Sequence, residues 1–415
     1  MTRTPQSDEG HFASAAAAFA RQGKLVMPMW TEWIPTLDQR LYANMPLYFV
    51  ALGGWYKAFG VSFLGMRLFS ILWGIVLVVA WSGVVARVSG RASGAILGAI
   101  LVGLDYDIIN LTTARYDVMC AALSALALLA YLTLRERRLP AAAAASATLL
   151  AASCLVHPYG IFGIMIVGVF ALTLDGRRLL DRRVVLAAVA PVAVALGAWG
   201  LYVARDPAMF RAQLAANASG RFAAYRAPVA AIVGEVRDRY LALYGGLRPG
   251  VPLAMRFKLG MLAVYVGGIA ACVLLPALRR RAEVRALAVA APTAFLMLAY
   301  LESNRWYIYF IHVLPLYAAC TAVTATALLD RGRVMRRMVW VGAALAGLFA
   351  ATTVAYRARQ DVQGHAFNPA LVYLQRHVAS DDLVMAGGEF GVGLGFAEHV
   401  LDDPLLGYHN HRVPT

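Results

Sequence analysis

Long apolar runs separated by short polar turns fill the chain from residue 64 to residue 356. A bilayer core is crossed by roughly 20 apolar residues in helical form, with a range of about 17 to 25. On that measure the runs at 64–86, 92–110, 116–134, 140–156, 159–174, 184–203, 258–277, 285–301, 306–329 and 338–356 predict ten spans. All are expected to be helices, because lipid-facing backbone must satisfy its own hydrogen bonds. His157, Pro158 and Gly160 break what would otherwise be one long stretch, so 140–174 divides into two short spans. Residues 204–257 alternate charged and apolar positions at helical spacing and read as amphipathic helices lying at an interface.

This pattern predicts an all-α polytopic membrane protein in three parts. Residues 1–60 form a first loop with an Ala-rich helix from His11 to Gln22, residues 61–356 form the helix bundle, and residues 357–415 form a tail. The tail has helical periodicity over Pro369 to His377, an apolar run over Asp382 to Ala386, and the glycines Gly387, Gly388, Gly391, Gly393 and Gly395. It reads as the opening of a small α/β unit. Its glycine run lacks the strand, fingerprint and helix context of a nucleotide site.

Composition supports the membrane reading. The chain is 60% hydrophobic and 15% charged, against about 25% charged in soluble domains, which excludes a single water-soluble fold. The net charge of +15 does not signal nucleic acid, because the basic residues sit between apolar runs and not on a solvated face. Alternate connections carry them: Arg87 and Arg91; Arg135, Arg137 and Arg138; Arg177, Arg178, Arg182 and Arg183; Arg279, Arg280, Arg281 and Arg285; Arg331, Arg333, Arg336 and Arg337. Enrichment of Lys and Arg in short cytoplasmic loops then assigns that end to the cytoplasm. The first loop, the turn from Asp105 to Asp117, residues 204–257, the turn Glu302 to Arg305 and the tail fall on the outer face. An outer first loop leads to one of two expectations, a span upstream of MTRTPQSDEGHF that delivers it or passage of the first 60 residues by an unusual route. Cys120, Cys154, Cys272 and Cys320 lie inside apolar segments without C-x-x-C spacing and read as small buried hydrophobes.

Ionisable groups at a membrane boundary are costly and tend to mark sites. They gather here on the outer face: Asp8 and Glu9 ahead of the Ala-rich helix, and Asp105, Asp107, Arg115 and Asp117 where two spans meet the surface. A carboxylate in such a place acts as a general base toward a hydroxyl, or holds a divalent cation. The plainer alternatives are a helix cap for Asp8, an ion pair between Arg115 and Asp117 within one turn, and hydration for the rest. His157 in LVHPYG is either a metal ligand or substrate contact, or a hydrated helix-breaking turn. His409 and His411 read as solvated tail residues, and Asn217 with Ser219 forms a sequon.

The segments DEGHFASAAAAFARQGKLVMP, NMPLYFVALGGWYKAFGVSFLGMRLFS and TTARYDVM resemble the opening of the GT-C glycosyltransferases. Within that class the likeness is to the protein O-mannosyltransferase and lipid A aminoarabinose transferase group, of glycosyltransferase family 39 type. The matching positions are Asp8 and Glu9; Pro46, Leu47, Tyr48 and Phe49; Phe59 and Gly60; Arg67, Leu68 and Ser70; and Arg115 and Asp117. They keep the family's order over about the first 120 residues.

The resemblance implies transfer of a sugar from a polyprenyl-phosphate donor to a protein, glycan or lipid acceptor on the outer face of a membrane, in bacteria the inner membrane. It implies catalytic roles for Asp8, Glu9 and Asp117, with a divalent metal held by Asp8 and Asp117 as an option. Arg67, Arg115 and Arg305 are then candidates for the departing lipid phosphate, since arginine matches phosphate oxygens bidentately; for Arg305, an interfacial snorkelling role is the alternative. Asn44, Tyr48 and His157 are candidate substrate contacts. The chain departs from the group where many relatives have Glu-Lys-Pro-Pro: it has Ala43, Asn44, Met45 and Pro46, losing a carboxylate and a lysine. Two other classes stay open, a noncatalytic scaffold of the same fold and a secondary transporter. A transporter is expected to show internal repeats and charges at mid-span, and neither is visible.

Overall fold

The computed structural model describes residues 5–31, 34, 36–218, 227–248, 250–251, 256–379, 381–396 and 400–402. Its helices are α1 (Ser7–Gln22), α2 (Leu47–Phe59), α3 (Phe63–Ser89), α4 (Ala92–Gly103), α5 (Tyr106–Leu111), α6 (Tyr116–Leu134), α7 (Leu139–Val156), α8 (Gly160–Leu174), α9 (Arg182–Val203), α10 (Pro207–Ala218), α11 (Pro228–Gly234), α12 (Phe257–Leu274), α13 (Pro276–Arg279), α14 (Ala282–Leu301), α15 (Leu314–Leu328), α16 (Arg333–Gln360), α17 (Asn368–His377) and α18 (Gly391–Leu394). A π-helical stretch, Glu235–Tyr244, follows α11, and a 3-10 turn, Tyr307–His312, leads into α15.

All ten predicted spans appear as helices. Eight are long and apolar enough to cross a membrane, and α4 and α8 are shorter apolar helices beside them. The chain is an integral membrane protein. The main difference lies at 92–110, where the helix stops at Gly103 and restarts at Tyr106. Asp105 causes the break by taking the cap position of α5, its carboxylate accepting from the backbone N–H groups of Asp107 and Ile108 at 2.8 and 3.0 Å. Lipid-facing surface shows as exposed apolar side chains, for example Leu64, Ile71, Leu72 and Ile75 on α3 and Leu186, Val189, Val194 and Leu201 on α9. α6 and α15 run through the interior and are the most enclosed of the long helices.

The arginine-rich connections meet at one end of the bundle. Arg281 donates to the Ser89 carbonyl at 2.7 Å, Arg91 pairs with Asp330, and Arg135 and Arg178 share Asp175 at 2.7 and 3.0 Å. At the other end, α1 and α2 pack together over the start of α3 and α6 in a second apolar core that includes Phe12, Tyr48, Phe49 and Tyr116. The tail contributes a two-stranded parallel sheet, β1 (Val384–Ala386) with β2 (Val400–Asp402). Its glycine run serves packing. A Cβ on Gly10 would run into the Gly388 carbonyl, and one on Gly388 into the His11 ring, so the tail turn lies directly on α1. Ser7 Oγ donates to Glu389 at 2.9 Å across the same contact. His409, His411 and Ser219 lie outside the described residues.

Candidate active site

Helix α1 begins at Ser7, and the side chain of Glu9 accepts the Gln6 backbone N–H at 3.0 Å. This cap leaves Asp8 turned to another partner. The backbone turn Thr113–Tyr116 delivers Arg115 at the cap position of α6 and Asp117 in its first turn, where the helix N-terminus favours a negative charge. The Arg115 guanidinium lies between the two aspartates: Nη1 contacts Asp8 Oδ2, and Nε donates to Asp117 Oδ2 at 3.0 Å. Arg115 is 4% exposed and Asp117 fully buried. Asp117 Oδ1 has no hydrogen-bond partner.

A divalent metal shared by Asp8 and Asp117 does not fit this arrangement. The position between the carboxylates is taken by a guanidinium, so the cation there is a side chain. The Arg115–Asp117 ion pair offered by the sequence forms, and it extends to Asp8.

Glu9 and Arg67 make a second pair beside the first. Arg67 Nη2 and Nε donate to Glu9 at 2.9 and 3.3 Å, Nη1 donates to the Gln363 side chain at 2.8 Å, and the Ala114 N–H reaches Glu9 Oε1 at 3.3 Å. Glu9 thus ties α1 to α3 and to the turn carrying Arg115, and its oxygens are already engaged.

Two cavities open from this cluster. A groove of about 630 Å³ runs down the lipid side between α3, α5 and α16, lined by apolar residues such as Ile71, Ile75 and Val78, with Glu9, Arg67 and Arg357 at its polar end. A pocket of about 420 Å³ is lined by Asp8, Arg115, Arg248, Asn304 and Arg305. Asn110 and Thr113 line both, so the two adjoin. Arg357 Nη1 donates to Asn110 Oδ1 at 2.7 Å and its guanidinium lies 4.9 Å from the Tyr106 ring centre.

Arg305 reaches the polar pocket from a turn with φ of 53°, in the left-handed region. Its guanidinium lies against Gly234, where any Cβ would collide with it, and pairs with Asp238 at 3.2 Å. Glu302 holds the turn by accepting the backbone N–H groups of Asn304 and Trp306 at 3.0 and 2.7 Å, and is itself bound by the buried Arg239 at 2.6 Å. Glu235 completes this buried group, 3.2 Å from Arg239. Burial pushes the Glu235 carboxyl up to about 7, with the Arg239 and Arg305 charges opposing.

The other sequence candidates lie apart from the two cavities. Tyr48 is fully enclosed among Phe12, Phe49, Phe69 and Tyr116. Asn44 is in the strap 40–45, whose backbone is held by Gln213 and Asn217 of α10. His157 ends α7, stacked on Tyr116 at 4.4 Å and near His312 and Cys120. Asp105 binds the Tyr265 hydroxyl and Asp107 the Lys258 ammonium at 2.7 Å, so both serve buried pairs. Sequence reasoning missed Asn110, Thr113, Arg248 and Arg357. Arg357 carried a usable signal, an arginine at the end of a span opposite the arginine-rich connections, where the loop-charge rule disfavours it.

No protein-family model matches the chain, and no curated protein matches it in sequence. Solved structures do. ArnT from Cupriavidus metallidurans bound to undecaprenyl phosphate superposes with a TM-score of 0.68 at 14% identity, over 95% of this chain and 80% of that one. The chain has the GT-C fold. The Archaeoglobus fulgidus oligosaccharyltransferase in complex with Zn and sulfate gives 0.60 at 14% identity, over 97% of this chain and 59% of that one. The Archaeoglobus fulgidus oligosaccharyltransferase AglB, solved with an inhibitory peptide and a dolichol-phosphate, gives 0.59 at 11% identity, over 97% and 61%. The fold expected from the first 120 residues thus extends through the whole bundle.

Proposed function

We propose that the chain is a membrane glycosyltransferase that moves a sugar from a polyprenyl-phosphate donor to an acceptor on the outer face of the membrane. The observation that carries this reading is the adjoining of the two cavities at Asn110 and Thr113. The apolar groove suits an isoprenoid chain entering from the bilayer, and Arg67 and Arg357 at its polar end suit the phosphate. The sugar then falls into the pocket of Asp8, Arg115 and Arg305. In the transfer the bond between the anomeric carbon and the phosphate oxygen breaks, an acceptor oxygen bonds to that carbon, and the phosphate leaves with the electron pair. The arginines stabilise the charge that grows on the phosphate. Asp8 receives the proton of a hydroxyl acceptor, and Asp117, through Arg115, fixes the orientation of Asp8. Neither step calls for a divalent metal. The undecaprenyl phosphate bound by ArnT and the dolichol-phosphate in the AglB structure support the donor class.

The test uses the chain in nanodiscs with radiolabelled polyprenyl-phosphate sugars, alongside equilibrium binding of undecaprenyl phosphate. Asp8→Asn should lower transfer by about 100-fold or more while leaving lipid binding near wild type. Arg357→Gln should weaken lipid binding by roughly tenfold. Full transfer by Asp8→Asn would remove Asp8 as the base, and unchanged lipid affinity in Arg357→Gln would remove the groove as the donor site.

A further inference from the structure

Beneath Asp117 the fold gathers three donors that are far apart in sequence. Cys120 lies one turn further along α6, His157 ends α7, and His312 closes the 3-10 turn before α15. All three are buried, and a ligand atom from each lies within 4.8 Å of the others. Aromatic rings enclose them: Tyr116 stacks on His157 at 4.4 Å, Phe162 lies on His312 at 5.7 Å, and Tyr159 meets both histidines edge-on.

Two buried atoms here have no partner. His312 Nε2 makes no hydrogen bond in a residue only 5% exposed, and neither does Asp117 Oδ1 in a residue with no exposure. A buried polar atom left unpaired is costly, and the His312 nitrogen belongs to the cluster of three donors.

We propose that Cys120, His157 and His312 bind a zinc ion that pins α6, the end of α7 and the turn before α15 together directly below Asp117. The donor set fits the metal: one thiolate and two imidazoles suit Zn²⁺, which favours tetrahedral mixed sulfur and nitrogen sites. Ligand atoms on such a centre lie about 3.5 Å apart, so small rotations of the three side chains close the site. Ser153 Oγ lies 3.2 Å from Cys120 Sγ and donates to the Cys120 carbonyl at 2.9 Å, so a rotation of that hydroxyl turns its proton to the thiolate. At His157 the Tyr159 N–H approaches Nδ1 at 3.2 Å. Ligation through Nε2 moves the ring proton to Nδ1 and gives up that one long contact. The site is separate from the Asp8–Asp117 position, which Arg115 fills, and it does not depend on the transferase reading.

The experiment is metal analysis of the full chain, purified in detergent without a histidine tag and dialysed against Zn²⁺ and then metal-free buffer. Wild type should retain about one equivalent of zinc, and so should Asp8→Asn. Cys120→Ser and His312→Gln, checked for helix content by circular dichroism, should retain little. Chelation should lower the thermal midpoint of wild type, and one equivalent of Zn²⁺ should restore it. Replacement of zinc by Co²⁺ should give a thiolate-to-metal charge-transfer band, so the wild-type spectrum alone decides the matter if the variants fail to fold. Folded wild type without zinc and without that band overturns the proposal. Zinc retained in full by the folded Cys120→Ser and His312→Gln variants overturns it equally, by placing the ion elsewhere.

Discussion

Replacing Arg115 by methionine tests whether a side chain has taken the place of a metal between Asp8 and Asp117. The substitution preserves much of the volume but leaves two buried carboxylates facing each other without their cation. Unit charges about 4 Å apart interact by about 4 kcal/mol at an effective dielectric near 20. Removing one partner of a buried pair costs about 3–5 kcal/mol, because the stranded charge stays desolvated. Arg115→Met should therefore lose about 3–5 kcal/mol of stability, read from the midpoint of an SDS titration followed by tryptophan fluorescence. The eight tryptophans give the signal. The double variant Asp8→Asn, Arg115→Met should recover about 1–3 kcal/mol relative to the sum of the single losses, since neutralising Asp8 removes the repulsion. Mg²⁺ or Mn²⁺ should stabilise Arg115→Met and leave wild type unchanged, because only the variant exposes paired carboxylates to a cation. If the two single losses add to within about 0.5 kcal/mol, and the cations do not distinguish variant from wild type, the guanidinium is not the bridging charge.

Two further outcomes follow from the end of the bundle that carries the site. The folded chain holds the Glu235 proton up to about 7, above its ordinary 4.5, so between these values it binds a proton that the unfolded chain has released; stability is full below the lower value and falls by about 3 kcal/mol as pH rises to the upper one. The unfolding midpoint should decline from about pH 5 to about pH 7 in wild type and stay flat in Glu235→Gln, and a slope that survives in the variant assigns it to another group. Gly10→Ala should destabilise the chain by about 1–3 kcal/mol and increase proteolysis of the tail, because a Cβ there displaces the Gly388 turn; an unchanged cleavage pattern would mean that the tail does not rest on α1 through this contact.

The spans were legible because each is a local property. Apolar length and a polar break suffice to place α6 at Tyr116–Leu134 and α9 at Arg182–Val203, and the arginine alternation orders the connections. The break at Leu104 and Asp105 escaped because apolar residues resume at Tyr106 and Ile108, so the run reads as one span to residue 110, whereas the Asp105 carboxylate caps a separate short helix. The site was half legible. Arg115 and Asp117 are neighbours in sequence, so their pairing could be weighed, but the link to Asp8 and the Glu9–Arg67 pair need α1 folded over α3 and α6. The cysteine spacing hid Cys120 for the same reason, since its companions arrive on two other elements. Tyr48 was singled out with its motif, but an aromatic that anchors the packing of α1 and α2 carries the same sequence signal as one that touches a substrate.

The partners of the cations at this end of the bundle also rank them for the phosphate. Arg67 is matched to Glu9, Arg115 to Asp8 and Asp117, Arg239 to Glu235 and Glu302, Lys258 to Asp107, and Arg305 to Asp238. An incoming phosphate must compete with a carboxylate at each of these, and at Arg67 that competition would strand Glu9 in a buried position. Arg357 is held differently, by the neutral side-chain oxygen of Asn110 and the face of Tyr106. Exchanging an amide oxygen for a phosphate oxygen strengthens the bond and leaves no buried charge behind. The residue at the rim of the apolar groove best prepared to receive a lipid phosphate is therefore Arg357, ahead of the arginines that the family likeness brings forward, with Arg67 joining only as far as Glu9 keeps its bonds to Gln6 and Ala114.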